Sequence, residues 1–220
     1  ETCDVADRGA VEAVAGRVLS RHPRIDLLVN NAGIAARGDF LDTDPERIEA
    51  VMQTNYLGGV WCLRAFLPGL GSGSAIANIV SVAGAVAVGP YSASKHALNG
   101  LSDGLRRELM LFGIDVVIVA PGAVVTPIWD KTEGAIAPFG NTPYAPILEK
   151  MKTIMLDTAA KGLAPERIGE AVHTALTVAN PKARYTVTPN PVQTFLTRYL
   201  PRRLVDRMIA GRIGLKPSAK

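Results

Sequence analysis

The chain has 220 residues, 48% hydrophobic and 5% aromatic, a composition that suits one large domain with an aliphatic core and excludes a disordered chain. No apolar run approaches the roughly 18 residues of a spanning helix, and Glu1-Thr2-Cys3-Asp4 has neither the basic flank nor the apolar stretch of a signal peptide. The net charge is +4, yet residues 198–220 alone hold seven basic side chains against Asp206, which excludes a globally basic nucleic-acid binder. Cys3 and Cys62 are too few for a disulfide framework, so a reducing, cytoplasmic setting is expected.

In chain order, Asp7 to Arg21 has helical period. Ile25-Asp26-Leu27-Leu28-Val29 is a short apolar run that predicts a strand, and it leads into Asn30-Asn31-Ala32-Gly33. A helix is predicted over residues 45–67, with Pro45 in its first turn, where a missing N–H costs nothing. A second strand follows at 75–80, ending at Ser81, then a helix over 91–112 and a third strand at 115–120, ending at Pro121-Gly122. The Pro, Gly, Thr and Met-rich stretch 128–164 predicts a substrate-covering loop with a short helix. A helix over 165–178 and a weaker strand at 183–188 complete the pattern. Apolar runs buried on both faces, alternating with helices, predict a three-layer α/β fold around one parallel sheet with right-handed crossovers. The Asn-Asn-Ala-Gly, Ser81 and Pro-Gly features all fall at carboxyl ends of strands, the edge where open α/β sheets bind ligands. Residues 1–197 form one domain in this reading, and 198–220 a basic amphipathic segment.

Tyr91 and Lys95 are spaced i, i+4 and share a helix face. An ammonium beside a phenol favours phenolate and moves tyrosine toward acid–base work. Ser81 is placed either to hydrogen-bond a reacting carbonyl oxygen or simply to cap a turn. Asn55 is a poor helix former in mid-helix, and reads as a buried structural amide or as the centre of a kink that exposes a backbone carbonyl. No metal-ligating pattern is apparent.

The order Asn-Asn-Ala-Gly, Asn55, Ser81, Tyr91-x-x-x-Lys95, Pro-Gly, Thr126 resembles the classical short-chain dehydrogenase/reductase family, from Asp4 to about Pro189. The resemblance implies a Rossmann-like doubly wound parallel sheet and an oxidoreductase that uses NAD or NADP. It implies that Tyr91 is the acid–base, that Lys95 lowers its pKa and holds the nicotinamide ribose, that Ser81 orients the substrate oxygen, and that Asn55 holds a relay water. Asp4 and Val5 would contact adenine, Asn30, Ala32 and Gly33 would cradle the cofactor, and Pro121, Gly122, Val124 and Thr126 would lie beside the nicotinamide. Homodimers or homotetramers through the long helices are implied as well. Leu105-Arg106-Arg107-Glu108-Leu109, Phe112-Gly113 and Thr126-Pro127-Ile128-Trp129-Asp130 are similar to the branch acting on retinol, hydroxysteroids and related lipophilic alcohols, which implies an apolar alcohol or ketone substrate. Ile128, Trp129, Ile136, Phe139, Ile147, Met151, Ile154 and Met155 are candidates to line its pocket or to cover the core.

Two departures stand out. The spacer from Ser81 to Tyr91 is two or three residues shorter than in the family, which is expected to open the pocket. The family's first strands and their glycine-rich phosphate turn, about 50–60 residues, do not precede Asp4. Without them the strand ending at Asn30 is expected to be an exposed apolar edge. A non-catalytic relative that associates through its long helices is the rival function. In the tail, Leu204, Val205, Met208, Ile209 and Ile213 fall on one helical face, with Arg202, Arg203, Arg207 and Arg212 around it. That pattern suits either peripheral contact with an anionic membrane or a helix docked on the protein.

Overall fold

A computed structural model describes residues 1–35, 43–84, 89–126 and 145–215. Ile128, Trp129, Ile136, Phe139 and residues 85–88 of the Ser81–Tyr91 spacer lie outside those residues. Four strands, β1 (Leu27–Asn30), β2 (Ala75–Ile79), β3 (Asp115–Pro121) and β4 (Arg184–Val187), form one sheet in chain order. Every pairing is parallel. The helices are α1 (Arg8–Arg21), α2 (Pro45–Met52), α3 (Gly58–Phe66), α4 (Gly89–Leu109), α5 (Ala145–Ala160), α6 (Pro165–Thr177), α7 (Pro191–Tyr199) and α8 (Arg202–Ile213).

The central strands explain the three layers. Along β3, Val116 and Ile118 face α3 and α4, where they join Leu63, Leu109 and Leu98, while Val117 and Val119 face α6 and pack with Ala175. Every residue of β2 is buried. Such continuous apolar runs are what a parallel strand covered on both faces requires. β1 differs. Leu27 is 48% exposed and Val29 42%, so the outermost strand does present an apolar, uncovered edge, as expected from the sequence.

Local signals hold where they are strong. Asp7 caps α1 by accepting from the Ala10 N–H at 3.1 Å, and Pro45 and Pro165 sit in first turns. The helix predicted over 45–67 is interrupted: between α2 and α3 lies a π turn, Gln53–Leu57, in which the Gly58 N–H donates to the Gln53 carbonyl. The segment after Ala145 forms a 16-residue helix, longer than the short one expected. α7 was not legible in the sequence, and with α8 it makes a hairpin joined by Leu200 and Pro201. Val205 anchors that hairpin at 4% exposure.

Candidate active site

Lys95 is the centre of the site. Its side chain is 4% exposed, and its ammonium donates to the Ile79 carbonyl at the end of β2, 2.9 Å away. The ammonium lies 6.0 Å from the centroid of the Tyr91 ring, so the i, i+4 geometry read from the sequence brings the pair together. Burial holds the Lys95 pKa down to about 8, because desolvation penalises the charged form.

Gly33 closes in from β1. A Cβ on this residue would sit 3.3 Å from Asn55 Oδ1 and 3.4 Å from Lys95 Nζ. A bare backbone therefore keeps the approach to the lysine head open. Asn55 is 2% exposed and its carboxamide is fully engaged. Oδ1 accepts from the Ile34 N–H at 2.7 Å, and Nδ2 donates to the Ile34 carbonyl at 2.9 Å and to Ser94 Oγ at 3.0 Å. The side chain is thus structural, and the kink is real as well, since Asn55 sits within the π turn. π turns of this kind frequently mark functional sites. The backbone of the turn, rather than the amide, is the part left to hold a water.

Ser81 follows β2, and its hydroxyl oxygen accepts from the Ala83 N–H at 3.1 Å. It does cap a turn, but accepting leaves the hydroxyl proton to donate toward a substrate oxygen. Asn30 directs its amide away from any ligand: Nδ2 donates to Asn78 Oδ1 at 2.8 Å, and Asn78 Nδ2 donates to Ser102 Oγ at 2.9 Å. Asn30 nonetheless borders the crevice at the end of β1. Ala32, Asn31, Val29 and Val5 line the same crevice, a cavity of about 60 Å³ that also reaches Asn55 and Gly58. Val5 gets there because α3 begins with glycine; a Cβ at Gly58 would lie 2.8 Å from Val5 Cγ2. Asp4 is exposed and its carboxylate accepts from the Ala6 N–H at 2.9 Å.

On the far side of β2, Pro121 ends β3 and the Gly122 N–H donates to the Val187 carbonyl at 2.7 Å. Val124 bridges to Leu163, which fixes the stretch leading to Thr126. Among the described residues, Asn30, Ala32, Gly33, Ser81, Pro121, Gly122, Val124 and Thr126 lie at or just after the carboxyl ends of strands, Tyr91 and Lys95 lie on α4, Asn55 lies in the π turn between α2 and α3, and Asp4 and Val5 lie ahead of α1.

The nicotinamide half of a dinucleotide fits this arrangement. Lys95 presents a cation at the base of a glycine-lined approach, with exposed Ala32 and Gly33 on one side and half-buried Gly122, after buried Pro121, on the other. The closely spaced Gly69, Gly71 and Gly73 precede β2 and lie at the opposite, amino edge of the sheet, so they do not supply a phosphate cradle. Sequence reasoning missed Ser94, Asn78 and Ser102. Ser94 is completely buried, accepts from Asn55 and donates to the Tyr91 carbonyl at 2.7 Å. Asn78, a polar residue inside the apolar run of β2, was the available signal. Among the described residues no group of His, Cys, Asp or Glu is arranged to hold a metal ion.

Comparison with known proteins places these features in a family. The short chain dehydrogenase profile matches residues 1–136. An NADPH-dependent 3-dehydrocapnine reductase of Ornithobacterium rhinotracheale is 32% identical over 84% of this chain and 69% of its own. Dehydrogenase/reductase SDR family member 7B of Bos taurus is 32% identical over the whole of this chain but 65% of its own length. Among solved structures, a short-chain dehydrogenase from Streptomyces avermitilis superposes with a TM-score of 0.73 at 27% identity, over 97% of this chain and 78% of that one. A Burkholderia cenocepacia short chain dehydrogenase in complex with NADP gives 0.68 at 25% identity, over 97% and 79%. The sheet, the buried lysine beside its tyrosine and these matches agree: the chain belongs to the short-chain dehydrogenase/reductase family of NAD(P)-dependent oxidoreductases.

Proposed function

We propose that this protein interconverts an apolar alcohol and its carbonyl, with Tyr91 as the acid–base. The observation that carries the reading is the buried Lys95 ammonium, tied to the Ile79 carbonyl and set 6.0 Å from the Tyr91 ring. When bound, NAD or NADP would accept or donate the hydride. Lys95 favours the phenolate form of Tyr91, so that Tyr91 takes a proton from an alcohol or returns one to the developing alkoxide. Ser81 donates its hydroxyl proton to the same substrate oxygen and stabilises charge there. The π turn around Asn55 offers backbone to a water that connects the site to solvent.

The apolar character of the substrate is supported by the resemblance in the α4 and Phe112-Gly113 region; Ile147, Met151 and Ile154, half-buried on α5, are the candidates to line its pocket. No helix among the described residues is long and apolar enough to cross a membrane. Peripheral contact through 198–220 is supported by exposed Tyr199 and Leu204 beside Arg198, Arg203 and Arg207. Pairing of subunits through α3 and α4 is the assembly that family resemblance favours.

The test is Tyr91→Phe in the full-length protein, assayed for NAD(P)-linked turnover of long-chain and alicyclic secondary alcohols and ketones. Loss of at least about a hundredfold in turnover with folding unchanged supports the reading. Turnover equal to that of the unaltered protein removes Tyr91 from the chemistry. If the unaltered protein also turns over no alcohol or ketone, a non-catalytic, association-based role takes the place of the proposal.

A further inference from the structure

Between α7 and α8 lies an open groove of about 460 Å³, within the size range of small-molecule sites. Pro189, Val192, Leu196, Val205 and Met208 line it with apolar surface, and Arg212 from the last turn of α8 stands at the same cavity. Among the described residues Arg212 has no ion-pair partner. The cavity also adjoins the catalytic edge. Pro189 packs beside Gly122, where an added Cβ would lie 3.2 Å from Pro189 Cδ and 2.7 Å from Thr188 Oγ1.

We infer that this groove is a binding site for the alkyl chain of an amphiphile whose oxyanion head pairs with Arg212. The inference deepens the proposed activity on apolar alcohols and carbonyls by adding a substrate class, and it rests on that reading. Three features select this occupant. Val205, at 4% exposure, forms a closed floor, whereas Val192, at 70%, and Met208, at 50%, leave the walls open to solvent, the pattern of a trough for a flexible chain. A guanidinium with no carboxylate partner suits a carboxylate or phosphate head bidentately. Pro189 and Arg212 line one cavity, and Pro189 packs beside Gly122, so a chain paired with Arg212 runs between the helices within reach of that edge.

The probe is dodecanoate below its micellar concentration, titrated calorimetrically into the full-length protein, with dodecan-1-ol as the neutral match. The expected result is one site per chain. Met208→Trp, which fills the groove, abolishes binding of both, and Val192→Trp repeats the result should the first variant fold poorly. Arg212→Gln weakens dodecanoate about two- to fivefold and leaves dodecan-1-ol unchanged. Absence of saturable binding, or wild-type binding by the Trp variants, overturns the inference. So does association with anionic phosphatidylserine vesicles without any binding of monomeric dodecanoate, which would make the hairpin a membrane-facing surface. The two readings fail separately. Groove binding with turnover untouched by Tyr91→Phe sinks the catalytic proposal alone. Tyr91-dependent turnover whose KM for long-chain substrates ignores the Trp and Gln variants sinks the groove alone.

Discussion

Lys95→Met is the perturbation that separates the chemistry of the site from the stability of the fold. Burial holds the Lys95 pKa at about 8, against 10.5 for an ordinary lysine. Between those two values the unfolded chain keeps a proton that the folded chain has released, so stability rises with pH through that window. Below about pH 8 both states are charged and the full desolvation penalty applies. Linkage between these pKa values gives a gain of about 2 kcal/mol from pH 8 to pH 10. With a urea slope of about 2 kcal/mol/M, the midpoint should move by about 1 M. Methionine has no proton to lose, so the variant should lack this increment. At pH 7 it should match or exceed the parent by about 1 kcal/mol, the relief of desolvation outweighing the lost bond to the Ile79 carbonyl. The assay is urea unfolding of both proteins at pH 7, 8, 9 and 10. Taking the difference between them cancels groups common to both, including Arg184, whose pKa burial lowers to about 10. Parallel pH curves for parent and variant would refute the argument, because the ammonium would then be as well solvated in the folded protein as in the unfolded one.

Two further substitutions test how the site is held. Ser94→Ala leaves one N–H of the buried Asn55 amide without a partner, which should destabilise by about 2 kcal/mol; an unfolding midpoint within error of the parent would show that the Asn55–Ser94 bond does not matter. Its side-chain amide resonances in nitrogen–proton spectra should shift as well, a change that a merely smaller side chain elsewhere would not produce. Gly33→Ala puts a methyl 3.3 Å from Asn55 Oδ1 and 3.4 Å from Lys95 Nζ, tight enough to force a shift. Cofactor affinity, measured by fluorescence titration of NADH and NADPH in the full-length protein, should fall by about tenfold or more, with little change in unfolding midpoint. An unchanged affinity would place the ligand away from Gly33.

The sequence made the pairing of Tyr91 and Lys95 legible because one helix carries both, and helical spacing is a local property. The same holds for the glycines and prolines at strand ends, which report backbone turns directly. It did not reveal the Asn30–Asn78–Ser102 chain, whose members come from β1, β2 and α4; such a ladder exists only once the sheet has formed. Asn55 was readable as an oddity in a helix, but whether its amide or its backbone mattered depended on Ile34 and Ser94 approaching from elsewhere. α7 was hidden for a different reason. It is nine residues long and opens on Asn190-Pro191; Val192, Phe195, Leu196 and Tyr199 do recur at helical spacing, but two turns are too short a run to stand out as a helix.

These polar contacts share one geometric logic. Tyr91, Ser94, Lys95, Leu98 and Ser102 recur at the spacing of a single face of α4. On that face the Tyr91 carbonyl is reached through Ser94 from Asn55, Lys95 is tied to Ile79 of β2, and Ser102 accepts from Asn78 of β2 while donating to the Leu98 carbonyl. The apolar residues of the same helix, such as Leu98 against Val80 and Ile118, supply attraction without direction. Hydrogen bonds carry direction. The two ties to β2, at Lys95 and two turns on at Ser102, together with the Asn55–Ser94 bond, oppose rotation or sliding of α4, and so fix where Tyr91 stands at the sheet edge more closely than packing would. Buried polar residues at Asn55, Ser94 and Asn78 weaken the fold relative to an apolar core unless every partner is present. Their presence along this one face is best understood as the means by which the sheet sets the position of Tyr91.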